Sequence, residues 1–385
     1  MNSVSGPRAR TPLGRLRAAA APLAKSALLR AGGYAALRRV LPSRSLAILR
    51  YHAICGPQGY DYADPYICVT PENFERHVAY LTSAYNVMRL EDAVRDLAAK
   101  RALPPNAVAI TFDDGYADNL AAARILASYG ASATFYITAG CLAGDQPFWP
   151  VELRYLVARL PAARLTINAG PAHVAIDATT DEGRRTAVKQ LTKACKGHPI
   201  PISEQLRAAL RAAAGPGDMP RVMLTWDEVR EMAAMGMTIG SHTMTHPNLP
   251  NAGLDAARRE LVESKARLET NIQAPVTMFS YPNGGAERYC TPELKRLVAE
   301  VGFAAATTSR NAFAGVSSDL YGLERIEVEE RLEDLLFALE VERFGFQPIG
   351  FRRGYYQPGN VDALVMRLAD PSSSVNGVQG TEIHG

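Results

Sequence analysis

The 385-residue chain has few cysteines and lacks any long apolar run. Its five cysteines include no CxxC pair, which argues against a zinc ribbon, and their odd number argues against a disulfide framework. No stretch approaches the roughly 20 apolar residues of a membrane-spanning helix. The best candidate for the apolar part of a secretory signal, Ala18–Ala24, is mostly alanine and is interrupted by Pro22. These absences favour a cytoplasmic or membrane-associated protein with free thiols, and they leave its localisation open.

Acidic residues are absent from the first 50 positions, which carry ten lysines or arginines. The rest of the chain is therefore net negative, and nothing in it resembles a basic nucleic-acid-binding stripe. We interpret residues 1–43 as a basic N-terminal extension in which arginines alternate with alanine and leucine. This composition fits a peripheral contact with an anionic membrane, or alternatively a loosely docked extension. No nucleic-acid partner is expected.

Short apolar runs alternate with helical patterns through the middle of the chain. Strands are predicted near Leu46–Arg50, Val108–Phe112, Ala133–Thr138, Thr238–Ser241, Val276–Tyr281, Phe303–Thr308 and Leu323–Val328. Helices are predicted at Pro71–Ala84, Ala117–Tyr129, Leu254–Asn271, Thr291–Val301 and Leu332–Phe344, and Thr225 with Glu228 forms a capping-box pattern before another. This alternation predicts an α/β fold, and seven strands favour a distorted (β/α)7-type barrel over an open doubly wound sheet.

The predicted barrel covers residues 44–345. Residues from about 144 to 220 interrupt the alternation with helical patches and Gly/Pro breaks, which indicates a helical insertion. Residues 346–385 form a C-terminal extension. Its Ser/Gly-rich part from about residue 370 is expected to be disordered.

Two adjacent acids follow a strand of this predicted sheet. The sequence Thr-Phe-Asp-Asp-Gly-Tyr places Asp113 and Asp114 directly after Val108–Phe112. Ligands of α/β folds gather at the carboxyl ends of strands, and adjacent buried carboxylates are best neutralised by a cation. A solvated turn or a helix cap would use the same residues.

Two histidines in the sequence Ser-His-Thr-Met-Thr-His follow another strand. His242 and His246 are four residues apart, and the chain has only seven histidines in all. Two imidazoles and one carboxylate form a three-ligand site with an open position, which is typical of catalytic zinc. The alternative is a pair of surface histidines without a metal.

Two further strand ends carry candidate residues. Phe279–Gly285 ends a strand in a Pro/Gly turn whose backbone N–H groups can face an oxyanion, although a structural turn explains it equally well. His52 follows the strand Leu46–Arg50. A lone histidine after an apolar strand is more often a core residue than a catalyst, but its position matches the other candidates.

Together these motifs resemble the polysaccharide deacetylases with the NodB homology domain, which form carbohydrate esterase family 4. The resemblance rests on TFDDGY, SHTMTH and FSYPNGG in this order and covers roughly residues 44–345. Tyr51-His52 and the segment Val69–Phe74 resemble the branch that acts on poly-N-acetylglucosamine, in which the catalytic histidine precedes the TFDD motif.

The resemblance implies roles for individual residues. A divalent metal, usually zinc, would be held by Asp114, His242 and His246. Asp113 would be the general base and His52 the general acid. The turn residues Tyr281, Pro282 and Asn283 would serve the oxyanion and the substrate. Many family members have an arginine that supports the base where this chain has Ser280, and Arg325 is the candidate replacement.

The implied function is hydrolysis of N-acetyl groups from an amino-sugar polysaccharide or a lipid-linked glycan, with release of acetate. Three alternatives stay open. One is a related metal-dependent C–N hydrolase of a small amide. Another is a catalytically silent carbohydrate-binding module, which would keep the barrel and lose the metal, the base or the acid. The third is a structural metal protein, which would need a closed fourth ligand, and the sequence offers no cysteine near His242 to supply one.

Overall fold

The computed structural model describes residues 25–144, 146–283, 289–341, 346–356 and 361–368. It contains two compact units. The larger one is Ser43–Leu332, and the smaller one combines the chain up to Pro42 with the chain from Glu333 onward. Within these ranges no helix is both long enough and apolar enough to cross a membrane.

The strands of the described chain build one large sheet and two hairpins. In chain order they are β1 (Ala47–Tyr51), β2 (Asn86–Val87), β3 (Ala107–Phe112), β4 (Thr134–Ile137), β5 (Arg164–Ala169), β6 (Ala172–Asp177), β7 (Thr238–Ser241), β8 (Met278–Ser280), β9 (Ala305–Thr307), β10 (Ile326–Glu327), β11 (Phe346–Tyr356) and β12 (Val361–Leu368). The large sheet has the order β10-β1-β3-β4-β7-β8-β9, with β2 added to β3.

The helices lie mainly between these strands. They are α1 (Gly33–Val40), α2 (Pro71–Ala84), α3 (Leu90–Ala98), α4 (Asn119–Ser128), α5 (Trp149–Arg159), α6 (Asp181–Gly197), α7 (Ile200–Ala214), α8 (Trp226–Ala234), α9 (Leu249–Ala252), α10 (Leu254–Ile272), α11 (Pro292–Glu300) and α12 (Leu332–Val341).

The large sheet is parallel throughout and curled. Every pairing in it is parallel, and the edge strand β9 forms a parallel bridge from Thr307 to Leu323, three residues before β10 begins. Strands β1, β3, β4 and β7 are buried along their whole length, as expected for strands covered on both faces. The predicted α/β barrel-type fold is confirmed, and each predicted strand is present.

Helix starts follow the signals in the sequence. Helix α2 spans the predicted residues, and the Thr70 hydroxyl accepts a hydrogen bond from the N–H of Asn73 at its N-terminus. Before α8, the side chains of Thr225 and Glu228 each accept from the other's backbone N–H, which completes the predicted capping box. Helix α12 ends at Val341 among the described residues, and the rest of the predicted Leu332–Phe344 helix lies outside them.

The insertion between β4 and β7 is largely helical, as predicted, but it also contains a hairpin that the sequence did not predict. Strands β5 and β6 pair antiparallel from Arg164 with Asp177 to Ala169 with Ala172, and Gly170 in the turn has a φ of 54°. The hairpin and α5, α6 and α7 share one apolar cluster. The insertion therefore has a hydrophobic core of its own.

The smaller unit contains α1 and most of α12. Lys25 Nζ lies 2.7 Å from Asp334 Oδ1, and Arg38 lies 3.8 Å from the fully buried Glu340. Strands β11 and β12 form an antiparallel hairpin in the same unit. The segment expected to be disordered from about residue 370 lies outside the described residues.

Close packing at Gly240 in β7 yields a test of the sheet. A Cβ added there would lie 2.5 Å from the Tyr136 ring and 3.0 Å from the Met278 carbonyl oxygen. We expect Gly240→Ala to lower the free energy of unfolding by about 1–3 kcal/mol through overpacking. Gly315→Ala is the matched control because a Cβ at that position meets nothing within 4 Å. Thermal unfolding of the two variants checks this, and equal melting temperatures would contradict it.

Candidate active site

The candidate residues meet at the carboxyl edge of the parallel sheet. Asp113 directly follows β3, His242 directly follows β7, and Ser280 ends β8. His52 directly follows β1, and Arg325 directly precedes β10, which pairs with β1. Sheet topology thus brings together side chains that are more than 270 residues apart in sequence.

A tight turn separates the two adjacent aspartates. Asp114 has a φ of 78°, and the Gly115 N–H donates to the Asp113 carbonyl oxygen at 3.1 Å. A positive φ with a hydrogen bond from residue i+2 to residue i is the pattern of a γ-turn, a strained conformation for a residue with a side chain. The Asp114 carbonyl in turn accepts from the Thr138 N–H on the neighbouring β-loop at 3.1 Å. The turn directs the neighbouring carboxylates to different partners.

Asp114, His242 and His246 form the first group. Nε2 of each histidine lies 3.4 Å from Asp114 Oδ1, and all three side chains are buried. One candidate ligand atom from each residue lies within 4.8 Å of the others. His242 Nδ1 lies 2.8 Å from the Ser280 carbonyl oxygen, which fixes the proton on Nδ1 and leaves the Nε2 lone pair available. The donor set fits a divalent cation.

The protonation states of this group suit ligation. Burial opposes the charge on Asp114, but the interactions of its carboxylate with the His242 and His246 side chains outweigh it and hold its pKa well below the usual range. Burial lowers the pKa of His246. An ionised carboxylate and neutral imidazoles are the forms in which these side chains bind metals.

Asp113 forms the second group, with Arg325. The two guanidinium NH groups donate to the two carboxylate oxygens at 2.7 and 2.6 Å. The remaining donors of Arg325 reach Thr111 Oγ1, Ser280 Oγ and the Thr308 carbonyl oxygen. Arg325 is 1% exposed, so this bidentate pair is shielded from solvent.

Electrostatics keep Asp113 ionised. Burial alone would raise its pKa, but Arg325, followed by His242 and His52, lowers it below the usual range for an aspartate. A buried guanidinium without hydrogen-bond partners would strongly destabilise the folded state. Here every nitrogen of the Arg325 guanidinium donates to a protein oxygen.

His52 lies next to Asp113 and is partly exposed to solvent. Its Nε2 is 3.9 Å from Asp113 Oδ2, and its side chain is 16% exposed. The buried Asn119 holds the backbone there, since its amide donates to the His52 carbonyl oxygen at 2.8 Å. Burial lowers the pKa of His52 to about 4, while Asp114 and Asp113 act in the opposite direction.

The turn after β8 brings only some of its predicted residues to the site. Tyr281 is buried, packs edge-on against Phe279 and donates its hydroxyl to the Tyr321 carbonyl oxygen. Pro282 lies in the turn that follows β8. Asn283 has a φ of 62°, and its buried Nδ2 has no hydrogen-bond partner among the described residues.

A buried glutamate that the sequence did not single out stabilises the loop from residue 242 to residue 246, which we call the histidine loop. Glu260 on α10 accepts from the N–H groups of Met244 and Thr245 at 2.8 and 2.9 Å, and from the Thr245 hydroxyl at 2.6 Å. Thr243 and His246 in this loop both have positive φ, so the loop needs such external support. The Trp149 indole also donates to the His246 carbonyl oxygen at 2.9 Å.

Comparison with known proteins places this sequence in a family. Residues 100–303 match the family model described as polysaccharide deacetylase. YxkH of Bacillus subtilis (strain 168), named as a polysaccharide deacetylase, is 28% identical over 119 residues, which are 31% of this chain and 41% of YxkH. The match therefore spans less than half of that relative.

Two solved structures share the fold. The deacetylase PplD of Streptococcus pyogenes, solved in complex with acetate, superposes with a TM-score of 0.52 at 20% identity, over 78% of this chain and 99% of PplD. BC0361, a polysaccharide deacetylase from Bacillus cereus, gives 0.50 at 17% identity, over 77% of this chain and 69% of its own. At these identities the similarity concerns the fold.

The family model covers more than half of the chain, so the chain belongs to the polysaccharide deacetylase family, the NodB-domain hydrolases of carbohydrate esterase family 4. Members of this family are hydrolases of carbon–nitrogen bonds. The sequence-based prediction of the family is confirmed.

The clamp by Glu260 yields a test of the histidine loop. We expect Glu260→Ala to weaken the affinity for a divalent cation about 10–100-fold, because the loop that presents His242 and His246 loses three hydrogen bonds. Glu260→Gln should lose less, since its amide oxygen still accepts from the two N–H groups. Competition with a chromophoric chelator measures the affinity. Glu263→Ala, at an exposed position of the same helix, is the control, and wild-type affinity in Glu260→Ala would contradict the clamp.

Proposed function

We propose that this chain hydrolyses N-acetyl groups of an amino-sugar polysaccharide or lipid-linked glycan and releases acetate. The observation that carries the proposal is that a buried Asp-His-His group lies beside a second, ionised aspartate. The group consists of Asp114, His242 and His246, and the second aspartate is the preceding residue, Asp113. Family membership supports the reaction class. The position of His52 before the TFDD motif supports poly-N-acetylglucosamine as the polymer.

The proposed cofactor is a divalent metal held by Asp114, His242 and His246. We favour Zn²⁺ because two imidazoles and one carboxylate are a common set of catalytic zinc ligands. When bound, the cation supplies Lewis-acid polarisation of the acetamide carbonyl and makes water more acidic. The three protein ligands leave coordination positions for substrate.

Asp113 is the proposed general base. Its pKa lies below the usual range, so the carboxylate is ionised at neutral pH and ready to accept the proton of the attacking water. Arg325 fixes both carboxylate oxygens through its bidentate hydrogen bonds. In this role Arg325 is a positioning residue, and its hydrogen bond to the Ser280 hydroxyl supports the proposal that it replaces the third-motif arginine that many family members have where this chain has Ser280.

His52 is the proposed general acid. An amine leaves poorly without a proton, and His52 lies on the accessible side of the base. With a pKa of about 4 the free imidazole is neutral at pH 7. We therefore propose that the proton collected by Asp113 passes through one water molecule to His52 Nε2, which lies 3.9 Å from Asp113 Oδ2, and from there to the departing nitrogen.

The turn after β8 is the proposed oxyanion and substrate contact. The backbone N–H of Asn283 is the candidate donor to the developing oxyanion, and its left-handed backbone supports a specialised role for this turn. Pro282 would restrict the chain next to the sugar. Tyr281 would act through the turn, because its own hydroxyl already donates to Tyr321.

Separate substitutions of the two aspartates test the division of their roles. We expect Asp113→Asn to reduce the rate of acetate release from N-acetylglucosamine oligomers about 10²–10⁴-fold while Zn²⁺ still binds. Asp114→Asn should lose Zn²⁺ affinity as well as activity. Acetate release and chelator competition measure the two properties.

The same assay separates the rivals. Release of acetate from glycans, with none from small non-sugar amides, supports the proposal. A near-normal rate in Asp113→Asn would overturn the assignment of the base, and Zn²⁺ binding without any acetate release from a panel of acetylated glycans would favour the silent carbohydrate-binding module.

We also propose a peripheral contact between the N-terminal extension and an anionic membrane. Among the described residues of this segment, Leu28, Val40 and Leu41 are exposed apolar side chains. Arg30 and Arg39 are exposed near them, and the first 50 residues carry no acid. Exposed apolar side chains with arginines beside them suit the surface of a bilayer with anionic headgroups.

Vesicle binding tests this contact. We expect the full chain to sediment with phosphatidylglycerol vesicles and much less with phosphatidylcholine vesicles. Each arginine near the surface contributes about 1 kcal/mol, so Arg30→Ser with Arg39→Ser should weaken binding about 20-fold or more. Arg95→Ser with Arg296→Ser, two exposed arginines outside the segment, is the control. Equal binding to both kinds of vesicle would contradict the proposal.

A further inference from the structure

A pair of buried thiols lies in the loop that follows His52. Cys55 and Cys68 are both buried, and their sulfur atoms are 3.1 Å apart. All five cysteines of the chain are in the free thiol form. The sequence offers no signal for this pair, because the two residues are separated by 13 positions and lack a motif.

The backbone holds the two thiol-bearing segments side by side. Ala53 and Cys68 form a parallel bridge, in which the Val69 N–H donates to the Ala53 carbonyl oxygen at 3.1 Å. Gly59, in the intervening loop, packs directly over Cys55, since a Cβ added at Gly59 would lie 2.4 Å from the Cys55 sulfur. Closeness of the sulfur atoms therefore follows from the path of the chain and not from one side-chain rotamer alone.

Contacts from the middle of the loop between Cys55 and Cys68 keep this arrangement. The Tyr62 hydroxyl donates to Asp118 Oδ2 at 3.0 Å, and Asp64 pairs with Arg154 on α5. The Asp64 side chain also accepts from the Tyr66 N–H and begins the 3-10 turn Pro65–Ile67. A disulfide has an S–S length of about 2.05 Å, so the sulfur atoms need to approach by only about 1 Å.

The two thiols of this pair differ in acidity from each other. Hydrogen bonding between the two sulfur atoms lowers the pKa of the Cys55 thiol, and the same interaction together with burial raises the pKa of Cys68 well above its usual range. Burial raises the pKa of Cys141 to about 12 and that of Cys195 to about 11. The thiolate is the reactive form in disulfide exchange, so Cys55 is the preferred attacking group.

We propose that Cys55 and Cys68 are a redox modification site that forms an intramolecular disulfide with a small-molecule disulfide as oxidant. With oxidised glutathione, the Cys55 thiolate attacks one glutathione sulfur and releases one glutathione thiol. Once Cys55 is in the mixed disulfide, Cys68 gives up its thiol proton and attacks the Cys55 sulfur, which releases the second glutathione thiol. Two thiol protons and two electrons pass to glutathione, and the new bond ties the segment after His52 to the start of α2.

Redox titration of the folded, metal-loaded full chain tests the site. After incubation in oxidised glutathione and denaturation in a thiol-blocking reagent, we expect two fewer reactive thiols than the five of the reduced protein. Mass spectrometry of proteolytic fragments should show Cys55 linked to Cys68. The oxidised protein should melt about 5 °C higher, because the bond restricts the unfolded chain.

Two serine variants provide the comparison. Cys55→Ser should lose both the cross-link and the rise in melting temperature, whereas Cys195→Ser, in the separate core of the insertion, should keep both. Five reactive thiols after oxidation of the wild type would overturn the proposal. So would a cross-link that joins Cys55 to Cys141, which lies in the same apolar cluster. Neither readout depends on acetate release, so the proposed function and this inference can fail separately.

Discussion

Burial of two adjacent carboxylates is the constraint on which this site depends. Neither Asp113 nor Asp114 can carry a charge in that environment without a partner, and side chains on consecutive residues would repel each other if they shared one. The γ-turn at Asp114 resolves this by sending the side chains to different partners. Asp113 is neutralised by a guanidinium from the edge of β10, and Asp114 is held by two imidazoles from the loop after β7.

The order of the sheet explains why these partners come from distant parts of the sequence. Strand β3 lies near the middle, with β1 and β10 on one side and β4 and β7 on the other. Arg325 and His52 approach Asp113 from the first side, and the two histidines approach Asp114 from the second. Ser280 on β8 touches both groups, since its hydroxyl accepts from Arg325 and its carbonyl accepts from His242.

The sequence predicted the strands and the strand-end residues well, because these depend on local pattern. Val108–Phe112 is apolar except for Thr111 and ends at the acids, so its position and the edge of the sheet at which it ends could be predicted. The resemblance to the family also led to Arg325 as the candidate partner of Asp113, because many members have an arginine where this chain has Ser280. The proximity of these two residues is now a geometric observation, and their roles stay predictions.

Other features depend on contacts that no local pattern carries. The clamp by Glu260 joins a helix to a loop, and a glutamate on an amphipathic helix is ordinarily a surface residue. The hairpin β5–β6 does alternate buried and exposed positions, but two of its five buried positions are alanines, which weaken the signal. The proximity of Cys55 and Cys68 results from the path of a loop with two short 3-10 turns.

The left-handed backbone at Asp114 also has an evolutionary consequence. Selection for stability alone would favour glycine there, which adopts this φ without strain and buries no charge. In the proposed mechanism, an aspartate at this position destabilises the fold and is kept for metal binding. His246, the other proposed ligand with a positive φ, is in the same position, so relatives that lost the reaction are expected to diverge at residues 114 and 246.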